Sequence, residues 1–360
     1  MVFDTTFDFQ VRLALGLGLA ALVVSFGLVL QVLVMRMRGQ RRERERAEVQ
    51  ARWRPLLLQA ALAGPGSTSL PALPRRELAD VLLLWIQLQD SLRGSAHDGL
   101  NVLAMRLGFA QQARRWADRG ALARRVIGLV TLGHLGLAED RFRLRQALAE
   151  PRTLTSLAAA RALLRIDASG AAPLVLDQYL ARPDWPAARL GTLLRDAGAE
   201  AVAPALLERL LAAAPAEQIR LLPLLRFAET PRTGSVLEQL VAESDDPQVL
   251  SIALRQLHGP DARPRVRALC THADALVRSA AAVALGHIGE PDDQQRLTAM
   301  MSDRDWWVRY RSAQALLALP GAEAAALAQA RAKLDDRYAR DMLDHAWAER
   351  ALQTAGGGAA

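Results

Sequence analysis

The sequence contains few cysteine, lysine and aromatic residues: one cysteine, one lysine, and 5% Phe, Trp and Tyr in 360 residues. The lone Cys270 excludes an internal disulfide, a multi-cysteine zinc site and an iron–sulfur cluster held by cysteines alone. Free cysteines are commonly buried, so we interpret Cys270 as a structural residue. The sequence also lacks a nucleophile–base pair, clustered carboxylates and a phosphate-binding glycine loop. We therefore predict no catalytic residue, no cofactor and no metal site.

The apolar residues, 51% of the chain, are mainly alanine and leucine. These two are the strongest helix formers among apolar residues, whereas strands favour Val, Ile, Tyr and Phe. Glycines and prolines fall mostly between the apolar runs, where they act as helix stops. The composition therefore predicts an all-α fold.

The longest apolar run, residues 13–35, reads LALGLGLAALVVSFGLVLQVLVM and has no charged residue in 23 positions. As a helix it would be roughly 34 Å long, enough to cross a hydrocarbon core of about 30 Å. A cleaved signal peptide would need a basic segment before a shorter run and a cleavage site after it. The flanks have the opposite pattern, which favours a retained transmembrane helix after a short extracytoplasmic segment, 1–12.

Residues 36–62 form a basic segment that follows this run. Eight arginines and three glutamates lie between positions 36 and 54. Because cytoplasmic flanks carry the excess of basic residues, the pattern predicts a bacterial inner-membrane protein with its N-terminus outside and the rest in the cytoplasm. We expect a solvated helical stalk with i,i+4 pairs such as Arg41–Glu45, and attraction to anionic lipid headgroups. The arginines assigned to the membrane surface are Arg36, Arg38, Arg41 and Arg42.

Residues 63–75, rich in Gly, Pro and Ser, are interpreted as a linker. Two long apolar helices are predicted in 76–118, as an N-terminal capping region. From 119 to 350 the chain has a period of about 30 residues, which is typical of a solenoid. The last segment, 351–360, is predicted to be a disordered tail.

The period is clearest in two segments, DALVRSAAAVALGHIG at 274–289 and DWWVRYRSAQALLALP at 305–320. Their apolar residues recur at helical spacing, which places Leu285 and Leu316 in a core. Asp274 and Asp305 occupy N-cap positions, and glycines mark the expected helix end. One helix pair cannot bury such a face alone, so the pairs must stack. Weaker copies bring the total to seven, starting at Ala121, Pro151, Asp184, Glu217, Asp246, Asp274 and Asp305.

The two clear copies resemble HEAT repeats, in particular the bacterial HEAT-like class that includes bilin lyases, with the pattern D-x-x-V-R-x-x-A-A-x-A-L-G-x-I-G. The resemblance implies a right-handed α-solenoid of about seven helix pairs. It implies that Arg278 and Arg309 pair with acidic groups near the helix starts of their own or the adjacent repeat. It also implies a partner among envelope or polysaccharide-assembly machinery.

Two histidines, His134 and His287, occupy matching positions near helix ends. A catalytic pair would need them close together, but about five repeats separate them in the sequence. A cation is favourable beside the C-terminal end of a helix dipole, so we interpret both as capping residues.

The segment DRDWWVRYR, residues 303–311, departs from the other copies because it has aromatic and arginine side chains where they have Ala, Leu or Ser. Trp and Arg are over-represented among binding hot spots. A tryptophan at the start of such a helix also occurs as ordinary packing, so at least one indole is expected in a structural role. The residues predicted to bind a partner are Trp306, Trp307, Tyr310 and Arg311.

Three functions are compatible with these patterns. The first is a non-enzymatic, membrane-tethered scaffold or adaptor that binds a membrane-associated protein. The second is an enzyme similar to the HEAT-like bilin lyases, although the repeat alone carries no activity. The third resembles the HEAT-like DNA glycosylases, but nucleic acid is disfavoured because charges are nearly balanced over 77–360. The scaffold is the preferred hypothesis.

Overall fold

The computed structural model describes residues 3–63, 71–92, 94–320, 331–332, 334 and 336–356. Within these ranges the chain forms helices and no strand, so the predicted all-helical composition is confirmed there. Part of the predicted linker 63–75 and of the tail 351–360 lies outside the described residues. The chain divides into two compact units, Met1–Leu135 and Gly136–Ala360.

Unit 1 is built around the last turns of its first helix. Trp53 and Leu57 are fully buried there, and the Trp53 indole Nε1 donates a hydrogen bond to Glu77 Oε2 at 3.3 Å. Arg52 also pairs with Glu77, so the segment predicted as a solvated stalk has one buried side. The helices are α1 (Phe3–Ala63), α2 (Leu78–Ser91), α3 (Ser95–Arg106), α4 (Phe109–Arg119) and α5 (Leu122–Leu135).

The structure overturns the predicted transmembrane helix. The run at 13–35 is one part of α1, a single helix of 61 residues that continues through the arginine-rich segment. Its last turns pack against α2 and α3. Among the described residues, none of the helices combines the length and the apolar character needed to cross a membrane. The predicted span, and with it the inner-membrane location with the N-terminus outside, is therefore wrong.

Unit 2 consists of short α-helices with three 3-10 segments, Ala138–Asp140, Leu222–Phe227 and Pro260–Ala262. All seven predicted copies fall on helices, the first on α5 of unit 1 and the others on the odd-numbered helices α7 to α17. The helices are α6 (Arg141–Leu148), α7 (Thr153–Ile166), α8 (Ala168–Ala181), α9 (Ala187–Ala197), α10 (Ala199–Ala212), α11 (Pro215–Leu221), α12 (Pro231–Glu243), α13 (Pro247–Leu254), α14 (Arg263–Leu269), α15 (Ala275–Ile288), α16 (Asp293–Met300), α17 (Trp306–Ala318) and α18 (Arg337–Gly356).

The helices of unit 2 pack in two layers. In one layer α11, α13, α15 and α17 contact each other in order, and α7 contacts α9. In the other, α8, α10, α12 and α14 pack in the same way. Each pair thus covers the apolar face of the next, which is how helical repeats build a continuous core.

The contact between α15 and α17 depends on a glycine. Gly286 lies in the last turn of α15, which ends at Ile288 with Gly289 as its C-cap, so both glycines are at the predicted helix end. A Cβ atom on Gly286 would lie 2.8 Å from Ala315 Cα, closer than real Cβ contacts come. The glycine is therefore required because the two helix backbones approach closely here. Leu285 and Leu316 are fully buried in the surrounding core.

Candidate functional site

The site begins at the N-terminus of α17, where Asp305 fixes the start of the helix. Its Oδ1 accepts hydrogen bonds from the backbone N–H groups of Trp307, at 2.8 Å, and Val308, at 3.2 Å. Asp274 caps α15 in the same way, accepting from the N–H of Leu276 at 2.7 Å. Because Val308 is buried, the neighbouring Trp306 and Trp307 face outward.

Three aromatic rings lie against each other on this outward face, and we call Trp306, Trp307 and Tyr310 the aromatic cluster. The Trp306 and Tyr310 rings are stacked, with centroids 5.2 Å apart and planes 11° from parallel. Trp307 packs edge-on against Trp306 at 4.8 Å. Nevertheless Trp306 remains 48% exposed and Trp307 57% exposed. Packing within the protein therefore leaves about half of each indole available for contact.

The Tyr310 hydroxyl is held by one residue of α18 and one of α17. The Tyr310 hydroxyl donates to Glu349 Oε2 at 2.8 Å and accepts from Gln314 Nε2 at 2.8 Å. Arg311 donates to Gln314 Oε1 at 2.8 Å, and its guanidinium lies 5.7 Å from the Tyr310 ring centroid. The bond to Glu349 and burial raise the pKa of Tyr310, which keeps its hydroxyl in the protonated form that donates to Glu349.

A cleft of about 420 Å³ adjoins the cluster on the side of α15. Trp307 and Arg311 line it, whereas Trp306 and Tyr310 do not. Arg255, which follows α13, was not predicted as a site residue because its repeat copy is a weak match in sequence. The lining residues are Arg255, Ala275, Leu276, Ser279, Asp305, Trp307 and Arg311.

The repeat arginines differ in how they are paired. Arg278 is buried and makes two 2.8 Å bonds to the Asp303 carboxylate of the following repeat. It also donates to the carbonyl oxygens of His272 and Ala273 at 2.8 Å. Arg309 is more exposed and its Nη1 lies 3.8 Å from Asp336. The role implied for both arginines is an ion pair with an acidic group near a helix start. It fits the contacts of Arg278 better than those of Arg309.

Other arginines are also paired with both oxygens of one carboxylate and were not predicted, among them Arg182 and Arg267. Arg182 donates to both carboxylate oxygens of Asp184, at 3.0 and 2.7 Å, and to the carbonyl of Pro151 at 2.6 Å. Arg267 donates to both oxygens of Asp293, at 2.7 and 2.9 Å. Arg182 and Arg267 lie outside the repeated sequence pattern, so the pattern does not identify them as paired arginines.

The two predicted capping histidines have different surroundings. His134 is buried: its ring packs on Trp85 at 5.7 Å and its Nε2 lies 3.5 Å from Asp90 Oδ1. His287 is exposed, and its ring centroid is 6.4 Å from that of His258. His134 and His287 therefore occupy matching sequence positions but differ in burial and in the residues they contact.

Cys270 is buried, and its thiol donates to the Val266 carbonyl at 3.4 Å. Burial disfavours the thiolate and raises the pKa of Cys270 to about 12.

Because only the thiolate reacts with disulfide reagents, we expect a disulfide reagent at pH 8 to label Cys270 very slowly in the native protein and fully in the guanidinium-unfolded chain. The absorbance of the released thiol measures both rates, and equal rates would contradict the buried position.

The arginines assigned to the membrane surface lie on α1. Arg36, Arg41 and Arg42 are exposed, and Arg41 forms the predicted pair with Glu45 at 3.3 Å. The side chain of Arg38 lies outside the described residues. Nowhere in the described part of the chain do three or more His, Cys, Asp or Glu side chains come together to hold a metal ion.

Comparison with known proteins supports the repeat. A family model described as HEAT repeats matches residues 234–317, which include both clear copies of the phrase up to Leu317. No curated protein matches the sequence. Among solved structures, the chain is similar to human deoxyhypusine hydroxylase in complex with glycerol: 18% identity, 84% of this chain and 95% of that chain covered, TM-score 0.27. A likeness this remote carries no inference about activity.

Proposed function

We propose that the chain is a non-enzymatic scaffold or adaptor that binds a protein partner at the C-terminal end of its HEAT repeats. The aromatic cluster, together with Arg311, supplies the contact surface. That the partner belongs to envelope or polysaccharide-assembly machinery stays a prediction.

The observation that carries the proposal is the exposure of ordered indole rings. Trp306 and Trp307 are about half exposed although both pack against Tyr310. Large aromatic side chains with Arg nearby dominate the binding energy of many protein interfaces. Rings that are already fixed lose less conformational entropy when a partner binds, which favours affinity.

Site-specific photo-crosslinking tests the proposal. A photoreactive phenylalanine analogue replaces Trp307 in the native cells, and a matched variant carries it in place of Leu154. Leu154 is 61% exposed and occupies the second residue of α7, as Trp307 does in α17. We expect a discrete crosslinked species from position 307 and none of the same size from position 154.

The captured protein then serves in a binding measurement with purified chains. Truncating a hot-spot residue costs at least about 2 kcal/mol, so Trp307→Ala should weaken binding roughly thirtyfold. Leu154→Ala should leave the affinity unchanged. If Trp307→Ala binds as tightly as the wild type, the cluster is only packing and the proposal is wrong.

A further inference from the structure

The cleft beside the aromatic cluster crosses three consecutive repeats. α15 contacts both α13 and α17, and its first turn supplies Ala275 and Leu276 to the cleft. Arg255, at the C-cap of α13, and Arg311, on α17, come from the two flanking helices. The volume of about 420 Å³ is within the range of about 300–1,000 Å³ that is typical of ligand sites.

These two arginines differ from the other arginines of unit 2 described above. Arg182, Arg267 and Arg278 each engage a carboxylate through two nitrogens. Among the described residues, Arg255 and Arg311 form no ion pair, and the guanidinium of Arg311 has a hydrogen bond to the neutral Gln314 and a cation–π contact with the Tyr310 ring. An arginine carries five N–H donors in a geometry suited to carboxylates. The cleft therefore presents two guanidinium groups with donors free for a ligand.

Apart from the two arginines, the lining is apolar except for the hydroxyl of Ser279, which is mostly buried, and one engaged carboxylate. Leu276 is 40% exposed and Trp307 57% exposed, which gives the cleft an apolar wall. The carboxylate of Asp305 accepts the two backbone bonds that cap α17, through the same oxygen. An occupant that complements this lining has carboxylates for the arginines and an apolar side chain for the wall.

We propose that this cleft binds an acidic peptide segment of the partner protein. Its carboxylates pair with Arg255 and Arg311, and an apolar side chain between them packs on Leu276 and Trp307. This inference rests on the proposed protein-binding function and adds the chemical class of the segment that is recognised.

A nucleic acid also carries negative charge, but the cleft matches it less well. Single strands are bound by a continuous basic groove that follows the phosphate backbone. Here the lining also contains a carboxylate, that of Asp305, which interrupts the positive charge that a phosphate chain would follow. Asp305 also repels the carboxylates of an acidic protein segment, but those charges are separated and can lie at the arginines, while apolar side chains occupy the rest of the cleft.

Fluorescence anisotropy of the full chain tests the proposal with a fluorescein-labelled peptide in which glutamates alternate with leucines. The control peptide has every glutamate replaced by glutamine. We expect the acidic peptide to bind at least about tenfold more tightly, a difference of about 1.4 kcal/mol. Added salt should weaken its binding, because exposed ion pairs are screened. A labelled oligothymidylate should bind more weakly than the acidic peptide.

Four variants of the chain assign the binding to the cleft. Arg255→Gln and Arg311→Gln should each weaken the acidic peptide several-fold, and Arg255→Lys should retain part of the affinity because it keeps the charge. Arg232→Gln, which removes an exposed arginine outside the cleft, should have no effect. Circular dichroism checks that each variant is folded.

The outcomes separate this inference from the proposed function. Equal affinity for the two peptides, no binding of either, or an unchanged affinity in both glutamine variants overturns the acidic-segment proposal. A photo-crosslink at position 307 that persists in those variants would leave the protein-binding function standing. Tighter binding of oligothymidylate overturns both in favour of nucleic acid.

Discussion

Leu285→Asp is expected to lower the free energy of unfolding by about 4 kcal/mol or more. Leu285 is fully buried in α15, between two neighbouring repeat helices. Removing a buried leucine side chain costs about 2–5 kcal/mol, and a carboxylate without a partner adds its own desolvation cost. For a unit of this size, about 1 kcal/mol corresponds to 2–4 °C, so the thermal midpoint should fall by roughly 8–16 °C.

Two matched variants test whether the loss of stability comes from burying the charge. One introduces the same charge at an exposed position, and the other changes the Leu285 side chain without adding a charge. His287→Asp places the same carboxylate two residues further along α15, at an exposed position, and should cost at most about 1 kcal/mol beside the helix C-terminus. Leu285→Met conserves volume and should cost less than about 1.5 kcal/mol. Hydrogen exchange should show α13, α15 and α17 opening together in Leu285→Asp. A midpoint shift no larger than that of His287→Asp would mean that Leu285 is not in the core.

The helices of the clear repeats could be predicted because their signals are local. Asp274 and Asp305 cap the helices that follow them, and the apolar spacing within one helix determines which side chains are buried. The packing role of Gly286 could not be predicted, because it depends on Ala315 of another helix. Periodicity within one helix contains no information about how closely two backbones approach.

The first 63 residues were interpreted less well for a related reason. An uncharged run at 13–35 satisfies the length rule for a membrane span, yet none of the described helices combines the length and the apolar character that a span needs. The arginine-rich segment also has a buried side, where the Trp53 indole donates a hydrogen bond to Glu77. The mean hydropathy of this segment averages over all faces of the helix. It is dominated by the charged residues and does not show that one face is apolar.

Of the candidate site, the residues on α17 were predictable and their partners were not. Trp306 and Trp307 stand out as aromatics where other copies have small residues. Glu349, which accepts the Tyr310 hydrogen bond, is 39 residues away in sequence on α18. Arg255 follows a helix whose copy of the phrase is weak. Contacts between residues so far apart in the sequence are visible only in the folded structure, because no short-range sequence pattern links them.

Arg278→Ala is expected to cost about 3–5 kcal/mol at pH 7. The side chain is buried, holds both oxygens of Asp303 and donates to two backbone carbonyls. Its removal leaves a mostly buried carboxylate without its counter-charge, and breaking a buried ion pair from one side is strongly destabilising. Arg309→Ala is the matched control from the next repeat. Arg309 lies 3.8 Å from a more exposed partner, Asp336, and its removal should cost about 1 kcal/mol.

The cost of Arg278→Ala should depend on pH. Burial is the largest single influence and by itself raises the pKa of Asp303. The hydrogen bonds from Arg278 and from the backbone N–H of Asp305, together with the charges of Arg278 and Arg304, outweigh it, so the net pKa is below its usual value. The pair therefore contributes stability above the unfolded carboxyl pKa of about 3.9, and this is lost as pH falls through the lower folded pKa. Without Arg278, burial remains and the pKa of Asp303 should rise instead. Urea unfolding should thus show a smaller difference between variant and wild type near pH 4 than at pH 7.

Arg278→Ala combined with Asp303→Asn separates the ion pair from the rest of the arginine's contacts. Asparagine has no charge to leave unpaired, so the double variant should be more stable than the sum of the two single effects, by an interaction energy of about 0.5–3 kcal/mol. The residual cost then belongs to the bonds that Arg278 makes to the carbonyls of His272 and Ala273. If the two effects simply add and the pH dependence is absent, the stabilisation comes from those carbonyl contacts alone and the ion pair between repeats contributes nothing.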